Sequence, residues 1–308
     1  MAILKLEKVT KSFGDQQILN RIDLSIPKGS VYGFIGMNGA GKTTTMKLIL
    51  GLEELTEGEI TINGERVTFG NTKTNRYTGY LPDVPDFYGF MTAREYLKLC
   101  GEITGIPKKI LSDKIQEMIQ KVGLKENKKQ IRTYSRGMKQ RLGVAQALLN
   151  EPKLLICDEP TSALDPSGRR EFLDLIASLK GDITILFSTH ILDDVERICD
   201  QVCILHQSKI VADGAIKELK SQYTSPQIEI QVDQESETFL VTILDQLMEE
   251  QKIQSYLKEN DAYILSFTGN YTELASLIFG QCKESGFVPN LFRKVEPSLE
   301  RIFLEVTK

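Results

Sequence analysis

The sequence lacks two features that would each point to a large class of proteins. Its five cysteines are odd in number and include no Cys-x-x-Cys pair, which favours reduced thiols over a disulfide framework or a zinc site. It also lacks a basic excess, since the net charge is −4. A general nucleic-acid binder needs basic surface, so no nucleic-acid partner is expected, although this count says nothing of a local basic patch.

Long apolar runs are missing as well. The first seventeen residues, MAILKLEKVTKSFGDQQ, alternate charged and apolar residues and hold no apolar segment of signal-peptide length. Nowhere does a run reach the ~18 apolar residues that a membrane-spanning helix needs. We therefore expect that the chain does not cross a membrane by itself, and that any work on a membrane goes through a partner.

The order of strands and helices predicts two domains. Through residues 1–220 the two alternate, and the strands in KLLICDE and ITILFST are continuously apolar, as in a buried parallel sheet. This pattern predicts an α/β layered domain over residues 1–220, with a helical part at about 84–150. SQYTSP at 221–226 has the composition of a linker, and residues 226–308 restart the order as strand, helix, strand, helix, strand, helix. A second, small α/β domain is therefore expected there.

Three local signals locate individual elements. Asn63-Gly64 is a strong turn dipeptide and predicts a hairpin within EITINGERV. Thr92 and Glu95 have the spacing of a capping box, which predicts that a helix begins there. Pro107 predicts the start of a second helical run that extends to about residue 123.

The stretch GMNGAGKT at residues 36–43 matches the phosphate-binding pattern G-x-x-x-x-G-K-[ST], between a predicted strand and a predicted helix. The glycines let the backbone curl so that its N–H groups point at the phosphates of a nucleoside triphosphate, beside the positive end of the helix dipole. The loop residues expected to do this are Gly36, Asn38, Gly39, Ala40 and Gly41. Lys42 should reach the β- and γ-phosphates, the Thr43 hydroxyl should bind Mg²⁺, and Thr44 should bond a nearer phosphate. The alternative is a glycine-rich turn without a ligand.

A second group of polar residues is predicted at the same edge of the sheet. LLICDEP at 154–160 places Asp158 and Glu159 at the carboxyl end of a core strand, where open α/β sheets bind ligands. Asp158 suits the water shell of the Mg²⁺, and Glu159 is the candidate general base for the attacking water. His190 follows the strand ITILFST and could bond the γ-phosphate and hold Glu159. The alternatives are a solvated acidic turn and an incidental histidine.

TYSRGMKQRLGVAQALL at residues 133–149 resembles the signature motif of the ATP-binding cassette (ABC) family. The other motifs fall in the family's order: the phosphate loop at 36–43, the signature at 134–138, the acidic pair at 158–159, the SALD loop at 162–165, and then His190. Together they cover residues 1 to about 220, so the chain is identified as a member of this family. The resemblance implies the P-loop NTPase ABC fold, in which a RecA-like core carries an antiparallel β subdomain and an α-helical subdomain.

The resemblance also implies how the motifs cooperate. In the family, two cassettes dimerise head to tail and enclose two ATP molecules, so this chain would need a second copy or a paralogue. Ser135 and the Gly137 N–H would contact the γ-phosphate of the partner's ATP, and the loop of Asp165 would line the interface. Phe13 matches the aromatic position that stacks on adenine; the alternative is a core aromatic residue.

Two positions depart from the family pattern. The signature reads YSRGM where the broad pattern is LSGGQ, so that Arg136 and Met138 replace a glycine and a glutamine while the serine and the second glycine remain. Asp83, in GYLPDVPDF, stands where the family usually has glutamine. A carboxylate can bind Mg²⁺ but cannot donate a hydrogen bond, and aspartate is one methylene shorter. We therefore expect Asp83 to engage the metal weakly or through water.

The last motifs concern partners. The run Phe87-Tyr88-Gly89-Phe90-Met91 lies where, in similar transporters, a coupling helix of the membrane subunit docks; the alternative is that these residues are core. PSLERIFLEVT at 297–307 resembles the closing motif of cassettes from bacterial bacitracin and multidrug exporters. The resemblance thus implies an ATPase subunit, peripheral on the cytoplasmic face of the membrane, that drives export of a drug or peptide antibiotic through a separate polytopic permease. The C-terminal domain would have an accessory role, in regulation or dimer support.

Other classes that share the phosphate loop fit less well. ABC proteins that act on ribosomes usually carry two cassettes in one chain, and chromosome-organising ABC ATPases need a long coiled-coil insertion. A small-molecule kinase has no reason to carry YSRGM, and an inactive regulatory subunit has no need of Lys42, Glu159 and His190 together. A soluble ABC ATPase with a non-membrane client stays as the alternative.

Overall fold

The computed structural model describes residues 2–71, 73–125, 128–223, 226–295 and 298–307. The chain divides into two compact units, residues 1–216 and 217–306. The predicted linker at 221–226 is wrong in its first half, because residues 221–223 complete a helix, Ile216–Tyr223. Residues 224 and 225 lie outside the described residues.

The first unit contains two sheets and six α-helices within the described residues. Its strands are β1 (Ala2–Phe13), β2 (Gln16–Pro27), β3 (Val31–Gly36), β4 (Glu57–Ile62), β5 (Glu65–Arg66), β6 (Thr78–Leu81), β7 (Leu154–Asp158), β8 (Thr184–Thr189), β9 (Gln201–His206) and β10 (Lys209–Ala215). Its helices are α1 (Lys42–Ile49), α2 (Ala93–Ile103), α3 (Lys108–Lys121), α4 (Arg136–Leu148), α5 (Pro166–Ser178) and α6 (Leu192–Ile198). Short 3₁₀ helices occupy Lys73–Tyr77 and Ile131–Thr133.

The central sheet has the order β10-β9-β3-β8-β7-β6, and all its strands except β10 are parallel. Strands β7 and β8 are buried along their whole length, as their apolar sequences predict. Alternate residues face opposite layers: Leu155 and Cys157 join the core shared with the helices α2–α5, while Leu154 and Ile156 join the core shared with α1 and the antiparallel sheet. Because β3, β7 and β8 run parallel, their carboxyl ends lie at one common edge of the sheet.

The antiparallel sheet has the order β2-β1-β4-β5. The hairpin predicted at Asn63-Gly64 is confirmed, since β4 and β5 pair antiparallel and both turn residues have positive φ, 51° and 81°. A type I′ turn requires that geometry, which explains the preference for this dipeptide.

The helical region begins as predicted. The Thr92 side chain accepts from the Glu95 N–H, and the Glu95 carboxylate accepts from the Thr92 N–H at 2.8 Å, so the capping box is confirmed. Helix α3 follows Pro107 directly. Helix α4 approaches the end of β6 so closely that a Cβ at Gly143 would lie 2.5 Å from Leu81 Cδ1. The segment after β6 is therefore packed against α4.

The second unit is a βαββαβ arrangement with one more strand than the sequence predicted. It consists of α7 (Ile216–Tyr223), β11 (Gln227–Gln231), α8 (Glu237–Glu249), β12 (Ile253–Glu259), β13 (Ala262–Phe267), α9 (Tyr271–Glu284), β14 (Leu291–Val295) and α10 (Leu299–Val306). The strand order is β12-β13-β11-β14 with every pair antiparallel, which is the ferredoxin-like topology. Pro297 of the closing motif lies outside the described residues.

Strand β12 was not predicted, because it lies at the edge of its sheet. Five of its seven residues, in IQSYLKE, are exposed, so the strand lacks the alternation of apolar and polar residues that marks a half-buried strand. The core of this unit lies between the sheet and helices α8 and α9, and includes Ile228, Leu244, Leu265 and Ile278.

Candidate functional site

The phosphate-binding pattern forms the turn between β3 and α1. A Cβ at Gly36 would lie 2.9 Å from the Leu205 carbonyl oxygen, and Gly39 and Gly41 have φ values of 82° and 107° that side chains disfavour. Gly41 is the N-cap of α1, and none of the described side chains caps this helix. The N–H groups of its first turn, which includes Thr43 and Thr44, thus point to where an anion would bind.

Lys42 is buried beneath this turn. Its Nζ donates to the carbonyl oxygens of Gly36 at 2.6 Å and Met37 at 3.1 Å. The same Nζ lies 3.0 Å from Oε1 of Glu159, and the two side chains are only 6% and 13% exposed. The charged ends of the predicted phosphate-binding lysine and the predicted general base are therefore in direct contact.

Glu159 joins Lys42 to His190. Its Oε2 lies 2.8 Å from His190 Nδ1, and because an ionised carboxylate only accepts hydrogen bonds, Nδ1 is the donor. The Glu159 backbone is left-handed, with φ 47°, and its N–H donates to the Ser188 carbonyl on the neighbouring strand. The turn thus directs the carboxylate toward the end of β8. Whether His190 also bonds a phosphate stays a prediction.

Asp158 ends β7 and is 2% exposed, so the alternative of a solvated acidic turn is wrong. Burial raises the pKa of the Asp158 carboxyl above its ordinary value, and the Thr43 hydroxyl acts in the opposite direction. Among the described residues, neither Asp158 Oδ1 nor Ser188 Oγ has a hydrogen-bond partner. Buried oxygens without partners next to a threonine hydroxyl fit Mg²⁺ and its bound water, since this ion prefers oxygen ligands.

The signature motif begins helix α4. Ser135 is its N-cap, and Ser135 Oγ accepts from the Met138 N–H at 3.2 Å. Nothing lies within 4 Å of a Cβ built at Gly137, so its surroundings are open. Among the described contacts, Ser135 shares no hydrogen bond with Lys42, Glu159 or His190. The structure therefore leaves the signature separate from the group around Glu159.

Phe13 lies at the end of β1 and is 47% exposed, so the alternative of a core aromatic residue is wrong. The Lys11 Nζ lies 4.3 Å from the centroid of the ring. The Lys11 ammonium is itself held by the Glu54 carbonyl, 2.7 Å away. A fixed cation near the ring leaves the rest of the aromatic surface open to a base.

Asp83 follows β6 and is bonded through both its side chain and its main chain. Its Oδ1 accepts from the Ser162 hydroxyl at 2.7 Å, and its carbonyl accepts from Gln140 Nε2 at 2.8 Å. The expected engagement of Asp83 with the metal, weak or through water, stays a prediction. The sequence identified the SALD loop that contains Ser162 but gave no signal for the partnership of these three residues.

The sequence analysis also missed a buried acidic residue behind the site. Asp194, on α6, is 1% exposed and accepts from Thr161 Oγ1 and from Arg169 Nε, each at 2.6 Å. It joins the segment after Glu159, helix α5 and the helix after His190. Nothing in the polar stretch around Asp194 distinguishes it from a surface aspartate, so only the tertiary structure reveals it.

The aromatic run after Asp83 divides into two parts. Phe87 and Met91 pack against the core, and the Phe87 ring meets Tyr96 edge to face at 5.1 Å. Tyr88 and Phe90 are 55% and 66% exposed, with ring centroids 6.0 Å apart. The alternative that these residues belong to the core is thus right for Phe87 and Met91 and wrong for Tyr88 and Phe90.

Comparisons with known proteins agree with this geometry. The family model described as "ABC transporter" matches residues 19–162. The chain is 37% identical, over 99% of both chains, to the uncharacterized ABC transporter ATP-binding protein YxlF of Bacillus subtilis (strain 168). It is 43% identical to the bacitracin transport ATP-binding protein BcrA of Bacillus licheniformis, over 71% of this chain and 72% of that one. The structure of cbiO1 from Clostridium perfringens, part of the ABC transporter complex cbiONQ, covers 72% of this chain and 91% of its own, with 27% identity and a TM-score of 0.66.

Proposed function

The chain belongs to the ABC transporter family as an ATP-binding subunit with ATPase activity, and we propose that it drives export through a separate membrane-spanning partner. The proposed cargo is a drug, a peptide antibiotic or a similar compound. Support for this class comes from the 43% identity to a bacitracin transport ATP-binding protein. No helix among the described residues is long and apolar enough to cross a bilayer, and we propose that the chain binds peripherally on the cytoplasmic face.

The observation that carries the catalytic part of the proposal is the position of Glu159 between Lys42 and His190. One carboxylate oxygen lies 3.0 Å from the lysine ammonium and the other lies 2.8 Å from the imidazole. These two contacts fix the orientation of the carboxylate beside the lysine that is proposed to bind phosphate. A base oriented in this way can accept a proton from a water molecule that attacks the γ-phosphate.

In the proposed reaction, the loop N–H groups and Lys42 bind the β- and γ-phosphates of ATP. As the γ-phosphate approaches Lys42, it competes with the Glu159 carboxylate for the ammonium group. Glu159 is then free to accept the proton of the attacking water, while the hydrogen bond from His190 keeps its orientation. Phe13 stacks on the base, and because stacking accepts any base, it does not select adenine.

We propose that Thr43 and Asp158 hold Mg²⁺, with Asp158 acting through the water bound to the metal. The unpartnered Oδ1 of Asp158 supports this assignment. When bound, Mg²⁺ neutralises part of the charge of the β- and γ-phosphates. The alternative that Asp83 also engages this metal, weakly or through water, is decided by the Mg²⁺ dependence of the Asp83→Ala variant.

Subunits of this family dimerise and work with membrane permeases, and two exposed features support both contacts here. Ser135 and Gly137 begin a helix with an open N-terminus, which suits the γ-phosphate of a partner subunit's ATP. The exposed rings of Tyr88 and Phe90 suit docking of a helix from the membrane subunit. The second subunit is another copy of this chain or a paralogue. For residues 226–308 we propose an accessory role.

The proposed catalytic role is tested by Glu159→Gln. We expect kcat for ATP hydrolysis to fall by ~10²-fold or more, because the amide cannot accept the proton. ATP binding should persist. Glu171→Gln is the matched control, since that exposed carboxylate on α5 forms a surface ion pair with Arg141, 2.9 Å away. A Glu159→Gln variant with near-normal kcat would show that another group is the base.

The proposed partner is tested by affinity purification of the Glu159→Gln chain from its native cell in mild detergent with ATP, followed by mass spectrometry. A polytopic membrane protein in stoichiometric amount is the expected result. Ribosomal proteins, or soluble clients alone, would overturn the transporter proposal in favour of a soluble ABC ATPase. A second, different ABC subunit in the eluate would favour the heterodimer.

A further inference from the structure

Asp83 occupies a junction between three segments of the first unit. Its carbonyl accepts from the side chain of Gln140, which is 2% exposed on helix α4. Its carboxylate accepts from the hydroxyl of Ser162, at 2.7 Å. Since Gly143 also packs closely against Leu81, the segment that carries Asp83 is anchored to α4 before its side chain reaches the SALD loop.

Ser162 is in turn bonded to Glu159. The Ser162 N–H donates to the Glu159 carbonyl at 3.2 Å, which closes the turn after the acidic pair. Thr161, the residue before Ser162, donates its hydroxyl to the buried carboxylate of Asp194. Besides the bond from the Glu159 N–H to the Ser188 carbonyl, the turn after Glu159 is therefore held by two side chains, the buried carboxylate of Asp194 and the more exposed carboxylate of Asp83.

We propose that Asp83 is a positioning residue, which fixes the turn after Glu159 to the signature helix α4 through its hydrogen bond with Ser162. This inference rests on the proposed function of Glu159 as general base. The Asp83 side chain acts on the reaction through the turn, and not as a ligand of the metal.

The geometry favours this role over metal binding in two respects. The Asp83 carboxylate already has a charge-assisted hydrogen bond of ordinary length, which metal coordination would weaken. Asp158 and Ser188, by contrast, present buried oxygens with no partner among the described residues. Asp158 Oδ1, which has no hydrogen-bond partner among the described residues, can therefore accept from the water bound to a metal without losing an existing bond.

The link also explains how one subunit could sense both ATP molecules of a dimer. Helix α4 begins at Ser135, which is proposed to contact the partner subunit's ATP. Through Gln140, Asp83 and Ser162, a displacement of α4 reaches the turn that holds Glu159 at this subunit's own ATP. The connection consists of hydrogen bonds of 2.8, 2.7 and 3.2 Å.

The test is a double-mutant cycle on ATPase activity, measured against both ATP and Mg²⁺ concentration. The variants are Asp83→Ala, Ser162→Ala and the double variant, with Ser162→Thr to restore a hydroxyl. Each single variant should lower kcat by about fivefold, and the double variant should lose no more than a single one, because both substitutions break the same bond. The KM for ATP and the Mg²⁺ concentration for half-maximal activity should change by less than about twofold.

Asp86→Ala is the matched control, because Asp86 is an exposed carboxylate on the same segment whose Oδ1 accepts from the adjacent Phe87 N–H. We expect it to leave kcat unchanged, and Ser162→Thr should retain at least about half of the wild-type kcat. Asp86→Ala tests whether any substitution in the segment after β6 lowers kcat. Ser162→Thr tests whether a hydroxyl at position 162 is sufficient to keep the bond to Asp83.

Two outcomes would overturn the proposal. If Asp83→Ala raised the half-saturating Mg²⁺ concentration about tenfold while Ser162→Ala did not, Asp83 would be a metal ligand. If the losses of the two single variants multiplied in the double variant, the two side chains would act independently. Neither outcome bears on Glu159, whose proposed role fails only if Glu159→Gln keeps a near-normal kcat.

Discussion

The two units of this chain differ in whether they bury charged side chains. At one edge of its central sheet the first unit buries Lys42, Asp158 and Asp194, and Asp158 Oδ1 and Ser188 Oγ have no hydrogen-bond partner in the part of the chain that the structure describes. In the second unit the cluster between sheet and helices is formed by apolar side chains with one tyrosine and one cysteine. Its Glu237 accepts from the Tyr263 hydroxyl at 2.6 Å near the surface.

This difference has an energetic meaning. A buried polar group without a partner costs about 1–3 kcal/mol, so a fold retains such groups where a ligand or a reaction needs them. The first unit concentrates this cost where β3, β7 and β8 end. The second unit has two buried amide oxygens without partners, those of Gln227 and Gln281, but none of its described charged side chains is buried beside them.

The comparison predicts that stability and activity can be separated. Leu244→Ala, in the core of the second unit, should lower the free energy of unfolding of that unit by about 3 kcal/mol, because Leu244 is fully buried. The kcat for ATP hydrolysis should stay within about twofold of wild type. Urea unfolding followed by circular dichroism, together with steady-state ATPase assays, measures both quantities.

Met248→Ala is the control for that variant, since Met248 lies on the same helix and is 42% exposed. It should change the free energy of unfolding by no more than ~0.5 kcal/mol. A large fall in kcat for Leu244→Ala at temperatures where the chain is folded would contradict the prediction that the core of the second unit does not affect ATP hydrolysis.

Much of the first unit could be predicted because its signals are local. The continuous apolar strands before Asp158 and His190 placed both residues at one sheet edge, and the structure brings His190 within 2.8 Å of Glu159. The capping box at Thr92 and the turn at Asn63 depend on neighbours in sequence, and both are confirmed.

The remaining features depend on residues distant in sequence. Asp83 and Ser162 are 79 positions apart, and Thr161 and Asp194 are 33 apart, so no periodicity or motif joins them. Strand β12 pairs only at the edge of its sheet, which leaves its residues free of the apolar pattern on which strand prediction depends. Such contacts follow from tertiary packing, and a single sequence carries no signal for them.

A second, smaller predicted effect concerns nucleotide binding by the exposed Phe13 ring of the first unit. Phe13→Ala should raise the KM for ATP by about tenfold, because stacking of one base on an aromatic ring contributes ~1–3 kcal/mol. Phe13→Tyr should leave KM nearly unchanged, since the ring face remains. Phe69→Ala is the matched control, as that ring is 56% exposed. Equal effects for Phe13→Ala and Phe69→Ala would mean that Phe13 has no contact with the nucleotide.

The smallest predicted effect concerns the folding stability that the chain loses by burying the Asp158 carboxylate. Burial raises the pKa of Asp158, so the folded state binds a proton on this carboxyl more tightly than the unfolded state does. The ionised carboxylate therefore destabilises the fold at pH values above its native pKa. Asp158→Asn should stabilise the chain modestly at neutral pH while it lowers ATPase activity.

The sign of this effect can be followed with pH. As pH falls through the native pKa of Asp158, the wild-type carboxyl takes up its proton, the penalty disappears, and the advantage of the variant should vanish. Urea unfolding between about pH 4 and pH 8 without nucleotide or divalent metal measures the difference, with Asp86→Asn as a control for the loss of one surface charge. An Asp158→Asn variant that is less stable than wild type at neutral pH would show that the carboxylate supports the fold. The unpartnered oxygens at this edge would then be structural, and the contrast between the two units would lose its functional meaning.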